Sequence, residues 1–407
     1  MFIFSCAGCG AGLTAPLSRV ALPVHAPQRY GNGTRLPVLM APGTFAVDPE
    51  PWGPPWRSWE EIRPGEAAAR GLHAPVCRLS DGAPGAILIA PGDALGTVLV
   101  PERCGGTCCG IDGTDGPNMA CGTCRLPVAT RIDDCSLWQA VRLAPDAVTR
   151  APAHPGDGDG DGTDAVPLSW AEALRREEGV PPVEPVTLWG GDHLWSWSPR
   201  WEAAVGRALA HLLAASEGRR VTVPQGLPEK VFQRALDALL PTSATGVTSA
   251  TDATSPTGPT GPADPAGPRA RRAVLAGPGL PDPDTDTGTG TGTGTKSGAD
   301  ILLVPTHPRT GEMWTPPGPA GGAYRVPLPF GVWLRMAFPE PRPPAPASGT
   351  LPDGVLRDDP PAPRAHRLFR ADAGAFEDAL VRLPAVHAPW LREILESVRR
   401  HEHLGLF

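Results

Sequence analysis

After Pro199, the apolar positions Trp201, Val205, Leu209, Leu212 and Leu213 recur at helical spacing, which predicts a long amphipathic helix. Before it, Ser169-Trp170-Ala171-Glu172 has the spacing of a capping box and predicts a short helix through Glu178. Leu391, Ile394, Leu395 and Val398 mark a third amphipathic helix near the end of the chain. Strand-like patterns punctuate these helices. Residues 87–90 and 97–100 are short apolar runs split by Pro91-Gly92-Asp93, and Val128, Thr130 and Ile132 alternate at period two. Residues 221–224 predict a strand, 228–240 a helix, and the continuous apolar run at 299–305 a buried strand. This alternation of strand and helix points to an α/β layer. Residues 324–338 are expected as β-structure, with their prolines at edges or bends.

Between these patterns lie segments with no apolar period. A chain of 407 residues exceeds one ordinary core. Its 49 glycines and 53 prolines, about a quarter of all residues, are unevenly spread. They divide it into a cysteine-rich domain (1–150), an acidic Gly-rich linker (151–168), a mixed α/β domain (169–240 and 299–340), a disordered insert (241–298), a Pro-rich tether (341–365) and a C-terminal helical segment (366–407). In the linker, Asp157, Asp159, Asp161 and Gly162 match the opening of a calcium-binding loop. Leu168 then stands where that loop needs a bidentate glutamate, so the segment reads as a linker. Trp52, Trp56 and Trp59 in the Trp/Pro segment 51–59 read as packing against a small core, with a ligand-stacking surface as the alternative.

Charge and leader signals narrow the functional classes. The net charge of −7, with 12 Arg and no Lys against 13 Asp/Glu in residues 1–150, argues against nucleic-acid binding. The start, MFIFSCAGCG, lacks the basic region of a secretory signal, and no run of eighteen apolar residues exists, so no membrane span is expected. A reducing cytoplasmic location is the expectation, and there clustered cysteines serve as metal ligands or redox groups more often than as disulfides.

All nine cysteines fall within residues 1–150. Cys6-Ala7-Gly8-Cys9 and Cys121-Gly122-Thr123-Cys124 are two C-x-x-C units, each followed by a strand-like stretch. Two tight turns of this kind present four thiolates, the tetrahedral set that zinc prefers. The pattern resembles the two halves of a zinc ribbon, residues 1–20 and 118–135, with about a hundred residues inserted between the knuckles. The wider region is similar to actinobacterial cysteine-rich proteins. The resemblance implies a structural zinc held by Cys6, Cys9, Cys121 and Cys124. With the strand–helix alternation further along, the expected fold is α+β, a β-rich zinc-ribbon-like domain followed by the mixed α/β region and its inserts.

Cys104, Cys108, Cys109 and Cys135 form a candidate second metal site, in which Cys104, Cys109 and Cys135 can take His73 or Cys77 as the fourth ligand. In another pairing, Cys121 and Cys124 take ligands from this group and leave Cys6 and Cys9 to a different one. Asp112 and Asp115 between them read as turn formers. A thioredoxin-like redox pair needs a helix directly after its cysteines; Pro127 and the β-branched alternation after Cys124 argue against one.

Catalytic signatures are absent: no H-E-x-x-H, no deaminase H-x-E with P-C-x-x-C, no G-x-S-x-G, no phosphate loop and no dinucleotide fingerprint. His401-Glu402-His403 reads as a solvated helix end, and His193 with its neighbouring tryptophans as a loop on a core. The expectation is a zinc-binding protein without a catalytic site that engages a protein partner. The alternatives are an enzyme with a pocket in residues 186–335 and nucleic-acid binding through the ribbon.

Overall fold

The computed structural model describes residues 1–106, 110–153, 168–240, 269–281, 298–317, 322–339 and 364–407. The architecture is mixed α+β. The first 152 residues supply β1 (Phe2–Cys6), β2 (Ser18–Arg19), β3 (Thr44–Asp48), β4 (Trp56–Ser58), α1 (Pro64–Ala69), β5 (Arg78–Ser80), β6 (Ala86–Ile89), β7 (Thr97–Leu99), β8 (Met119–Cys121), β9 (Pro127–Ile132), β10 (Ala140–Leu143) and β11 (Val148–Pro152). Seven of these strands form one sheet in the order β2-β3-β6-β10-β9-β8-β7, while β1 pairs with β11 and β4 with β5.

Side-chain alternation assigns the two faces of the large sheet. Phe45, Ile87, Ile89, Val141 and Leu143 point to one side and pack with Phe4, Leu13 and Leu17. Ala46, Leu88, Ala90 and Ala140 point to the other and meet Leu36, Leu39, Met40 and Trp138. Covered on both faces, β6 is buried throughout its length, and this explains its unbroken apolar sequence.

The remainder contains α2 (Trp170–Arg176), the hairpin β12 (Val183–Thr187) and β13 (His193–Trp197), α3 (Pro199–Ser216), β14 (Val221–Thr222), α4 (Arg234–Leu239), β15 (Arg271–Leu275), β16 (Ile301–Thr306), β17 (Tyr324–Pro329), α5 (Phe330–Ala337), α6 (Ala373–Val381) and α7 (Pro389–Arg399). Strands β14 to β17 lie side by side in chain order, all parallel. The capping box forms as its spacing predicts: the Glu172 N–H donates to Ser169 Oγ at 3.3 Å and the Ser169 N–H to Glu172 Oε2 at 3.0 Å. Helix α3 packs on α6 and β17, and Trp201, Leu209, Phe232, Leu303, Trp333, Phe376 and Leu391 share one core.

Three expectations are corrected. The insert 241–298 contains β15, which sits between β14 and β16 with Ala273 buried. Its apolar run is only four residues long and is flanked by Gly/Pro-rich sequence, so a compositional reading hides it; residues 241–268 and 282–297 lie outside the described residues. The β-structure expected through 338 stops at Pro329, and the chain turns helical in α5 because Phe330, Trp333 and Met336 fall at helical spacing toward the core. Packing also crosses residue 150. Ile62, Ala67, Leu72 and Ala74 join the core built on α3 and the parallel sheet, and the His73 N–H donates to the Val381 carbonyl at 2.8 Å. Linker residues 154–167, including Asp157, Asp159 and Asp161, and tether residues 340–363 lie outside the described residues.

A buried polar seam joins the two halves. Gln28 accepts from Trp138 Nε1 at 3.2 Å and donates to Asp372 Oδ2 at 3.1 Å. Glu202, fully buried on α3, accepts from Arg367 at 2.6 Å and Asn32 at 2.9 Å. Burial raises the Glu202 carboxyl to about 8 against the pull of Arg367 and Asn32, and burial likewise raises Asp372 to about 6. An unfolded glutamate ionises near 4.3. The folded state therefore binds more protons between about 4.3 and 8, and this seam loses stability as pH rises through that window. Glu202→Gln should flatten the fall in urea midpoint between about pH 5 and pH 8; an unchanged slope would refute this assignment.

Candidate metal centre

Two hairpins carry the four sulfurs. In the first, β1 ends at Cys6 and the chain returns beside it, Phe2 and Leu17 exchanging two backbone hydrogen bonds of 2.7 Å. In the second, β8 ends at Cys121 and β9 returns. The two turns agree bond for bond. The Cys6 N–H donates to Ala11 O and the Gly10 N–H to Cys6 O, both at 2.8 Å. The Cys121 N–H donates to Leu126 O at 2.8 Å and the Arg125 N–H to Cys121 O at 2.9 Å. In each, the residue after the second cysteine is left-handed, Gly10 at φ +73° and Arg125 at φ +66°. Glycine takes that conformation freely, whereas an L-residue such as arginine is held there by the turn.

The turns bring Cys6 Sγ to 3.5 Å from Cys124 Sγ, and Cys9 Sγ to 3.6 Å from Cys121 Sγ. All four sulfurs lie within 4.8 Å of one another. Four thiolates about 2.3 Å from a zinc ion define tetrahedral edges of about 3.8 Å, whereas a disulfide needs about 2.05 Å. The geometry fits a shared cation and not a bridge. Cys6 and Cys121 are buried among Phe4, Leu13 and Met119, while Cys9 and Cys124 face outward.

The protons are unevenly held. N–H groups of Cys124 and Thr123 directed at Cys121 draw its thiol down to about 6. At Cys9 the Ala11 N–H favours the thiolate, but desolvation and hydrogen bonds to Cys124, Cys121 and Cys6 prevail and push it up to about 12. Sulfurs this close resist becoming thiolates together unless a cation offsets their repulsion. Metal loading at pH 7 should therefore release protons, Cys9 supplying one, and binding should weaken as pH falls. Titration calorimetry in buffers of different ionisation enthalpy measures this release; the same heat in every buffer would overturn it.

The loop before β7 joins the hairpins. The Leu95 N–H donates to Leu13 O at 2.8 Å on one side, and on the other Gly96 O accepts from the Gly122 N–H at 2.8 Å. Gly96 has φ +58°, and a Cβ there would lie 2.6 Å from the Gly12 carbonyl oxygen. Gly96→Ala should cost about 2 kcal/mol and weaken metal retention, as read from a chelator competition; full stability and unchanged retention would refute the linking role. Sequence reading missed Gly96, although an isolated glycine in a strand pattern signals close backbone approach.

Cys108 and Cys109 lie outside the described residues. Among the described residues, Cys104, Cys135, Cys77 and His73 do not supply three clustered ligands. Cys104 directs its thiol to the Val100 carbonyl at 3.3 Å, and His73 packs edge-on against His387 with ring centroids 5.5 Å apart, away from the knuckles. Asp112 takes the turn role, accepting the Thr114 N–H at 2.8 Å. His193 is exposed on β13, 3.0 Å from Thr187 Oγ1, and His403 is 3.0 Å from Ser397 Oγ. Among the described residues no helix is long and apolar enough to cross a membrane. No protein-family model, curated protein or solved structure matches the chain.

Proposed function

We propose that this chain is a structural-zinc protein, in which Cys6, Cys9, Cys121 and Cys124 hold one zinc ion in a zinc-ribbon-like pair of knuckles. It acts by presenting a folded surface to a protein partner in a reducing compartment, and not by metal catalysis. The observation that carries this reading is the gathering of four sulfurs within 4.8 Å on two matching turns. Four thiolates fill a tetrahedral shell, whereas a catalytic zinc keeps a position for water. Support for a partner comes from the β12–β13 hairpin. It carries Trp189 and Trp195, each 45% exposed, and Tyr30, 61% exposed, lies against Trp189. Aromatic residues of this kind are enriched where proteins meet.

Elemental analysis of the purified protein should find one zinc per chain. Cobalt replacement should give the thiolate-to-metal charge-transfer bands of a tetrahedral four-sulfur site. Bound iron, which the same ligand set accommodates, would replace the zinc assignment. A stably folded, metal-free protein would overturn the whole reading.

A further inference from the structure

The second face of the large sheet holds a charged pair where its pattern calls for apolar side chains. Arg142 on β10 stands directly across from Thr130 on β9, and Asp48 lies two strands away on β3. Arg142 Nη1 donates to Asp48 Oδ2 at 2.8 Å, with the two side chains each only 10% exposed. Its guanidinium carbon sits 4.6 Å from the centre of the Trp52 ring. Asp48 Oδ1 is taken by the Glu50 N–H at 3.1 Å. A buried ion pair of this kind is seldom more stabilising than apolar residues of the same volume, so stability alone does not account for it.

The unused donors give the pair a purpose. Among the described residues neither the buried Nε of Arg142 nor its Nη2 has a hydrogen-bond partner, so the side edge of the guanidinium is unspent. Arg142 and Thr130 line a cleft of about 420 Å³ whose walls are Trp52, Pro54, Pro117 and Leu126. Asp146 stands exposed at its rim.

We propose that this cleft binds a carboxylate carried on a compact apolar body, with the Nε/Nη2 edge of Arg142 gripping the carboxylate beside Thr130. A planar carboxylate matches two parallel N–H groups, and the Pro/Trp walls suit an apolar substituent. Asp48 already offsets the arginine's charge and Asp146 adds a negative one, so a monoanion is favoured over a phosphate dianion. The site shares Leu126 with the second knuckle, but the proposal does not depend on which metal, if any, the cysteines hold.

The test is titration calorimetry of the full chain with N-acetyl-leucine, its uncharged twin N-acetyl-leucinamide, 3-phenylpropionate and inorganic phosphate. The two acids should bind and the amide and phosphate should not. N-acetyl-leucine binding better than 3-phenylpropionate identifies a peptide C-terminus as the source of the carboxylate, and the reverse order a free acid. Arg142→Lys keeps the charge but loses the fork, and should weaken binding by about tenfold or more. Thr130→Val, isosteric and outside the ion pair, should weaken it several-fold and guards against a folding defect in the first variant. Equal binding of acid and amide, unchanged affinity in both variants, or no binding up to about 10 mM acid would overturn the proposal.

Discussion

Cys121→Ser is expected to abolish stoichiometric metal binding and to unfold both knuckle hairpins. Cys121 is the innermost ligand: it is fully buried, ends β8, and receives the N–H groups of Thr123 and Cys124. Serine keeps the shape but supplies a poor zinc ligand, leaving three sulfurs crowded around an incomplete shell. The apparent binding free energy of a structural zinc, on the order of 10 kcal/mol, is comparable with the whole stability of a typical domain. The turns themselves, Cys6-Ala7-Gly8-Cys9-Gly10 and Cys121-Gly122-Thr123-Cys124-Arg125, carry no large apolar side chain that could replace it. The variant should lose its metal, lower Tm by roughly 10 °C or more, and lose amide protection along β1 and β8. Chelation of the wild type should produce the same protection pattern. Cys77→Ser, at an exposed cysteine outside the cluster, serves as the control and should change neither metal content nor Tm. A Cys121→Ser protein with full metal and wild-type Tm would remove the central role assigned to this residue.

Trp333→Ala should destabilise the other half by about 4 kcal/mol. Trp333 is fully buried on α5, and its Nε1 donates to the Ala276 carbonyl at 3.1 Å, tying α5 to the end of β15. Gly277 lies flat against its ring, where a Cβ would overlap it. Removing the indole leaves a large cavity and an unpartnered carbonyl, two costs that add. Trp333→Phe keeps most of the volume and should recover more than half of the loss. Urea denaturation of the three proteins decides the point. An alanine variant within about 1 kcal/mol of wild type would show that α5 does not anchor this core.

Much of the local structure was readable from the residues. The helix beginning at Pro199 follows the Trp201–Leu213 stripe, the capping box at Ser169 closes as its spacing requires, and 301–306 forms a buried strand. Where reading failed, the deciding contact was distant. Arg271–Leu275 carries too short an apolar run to announce itself, and becomes a strand because β14 and β16 supply hydrogen bonds on both edges. Phe330–Ala337 has β-prone residues, yet helical spacing puts Phe330, Trp333 and Met336 into one core. At the metal centre, the ligand types and their paired spacing were legible. The convergence of Cys6, Cys9, Cys121 and Cys124 was not.

The sequence by itself determined that two C-x-x-C turns and a set of helices and strands would form, because those features rest on interactions spanning a few residues. Only the tertiary structure decided which sulfurs meet across 112 and 118 residues, and that Arg142 meets Asp48 across 94. Such pairings depend on strand order, on the Gly96 loop that clasps both hairpins, and on which sheet face each residue occupies. None of these is encoded in the spacing of neighbouring residues, since each is set by the folding of the whole chain.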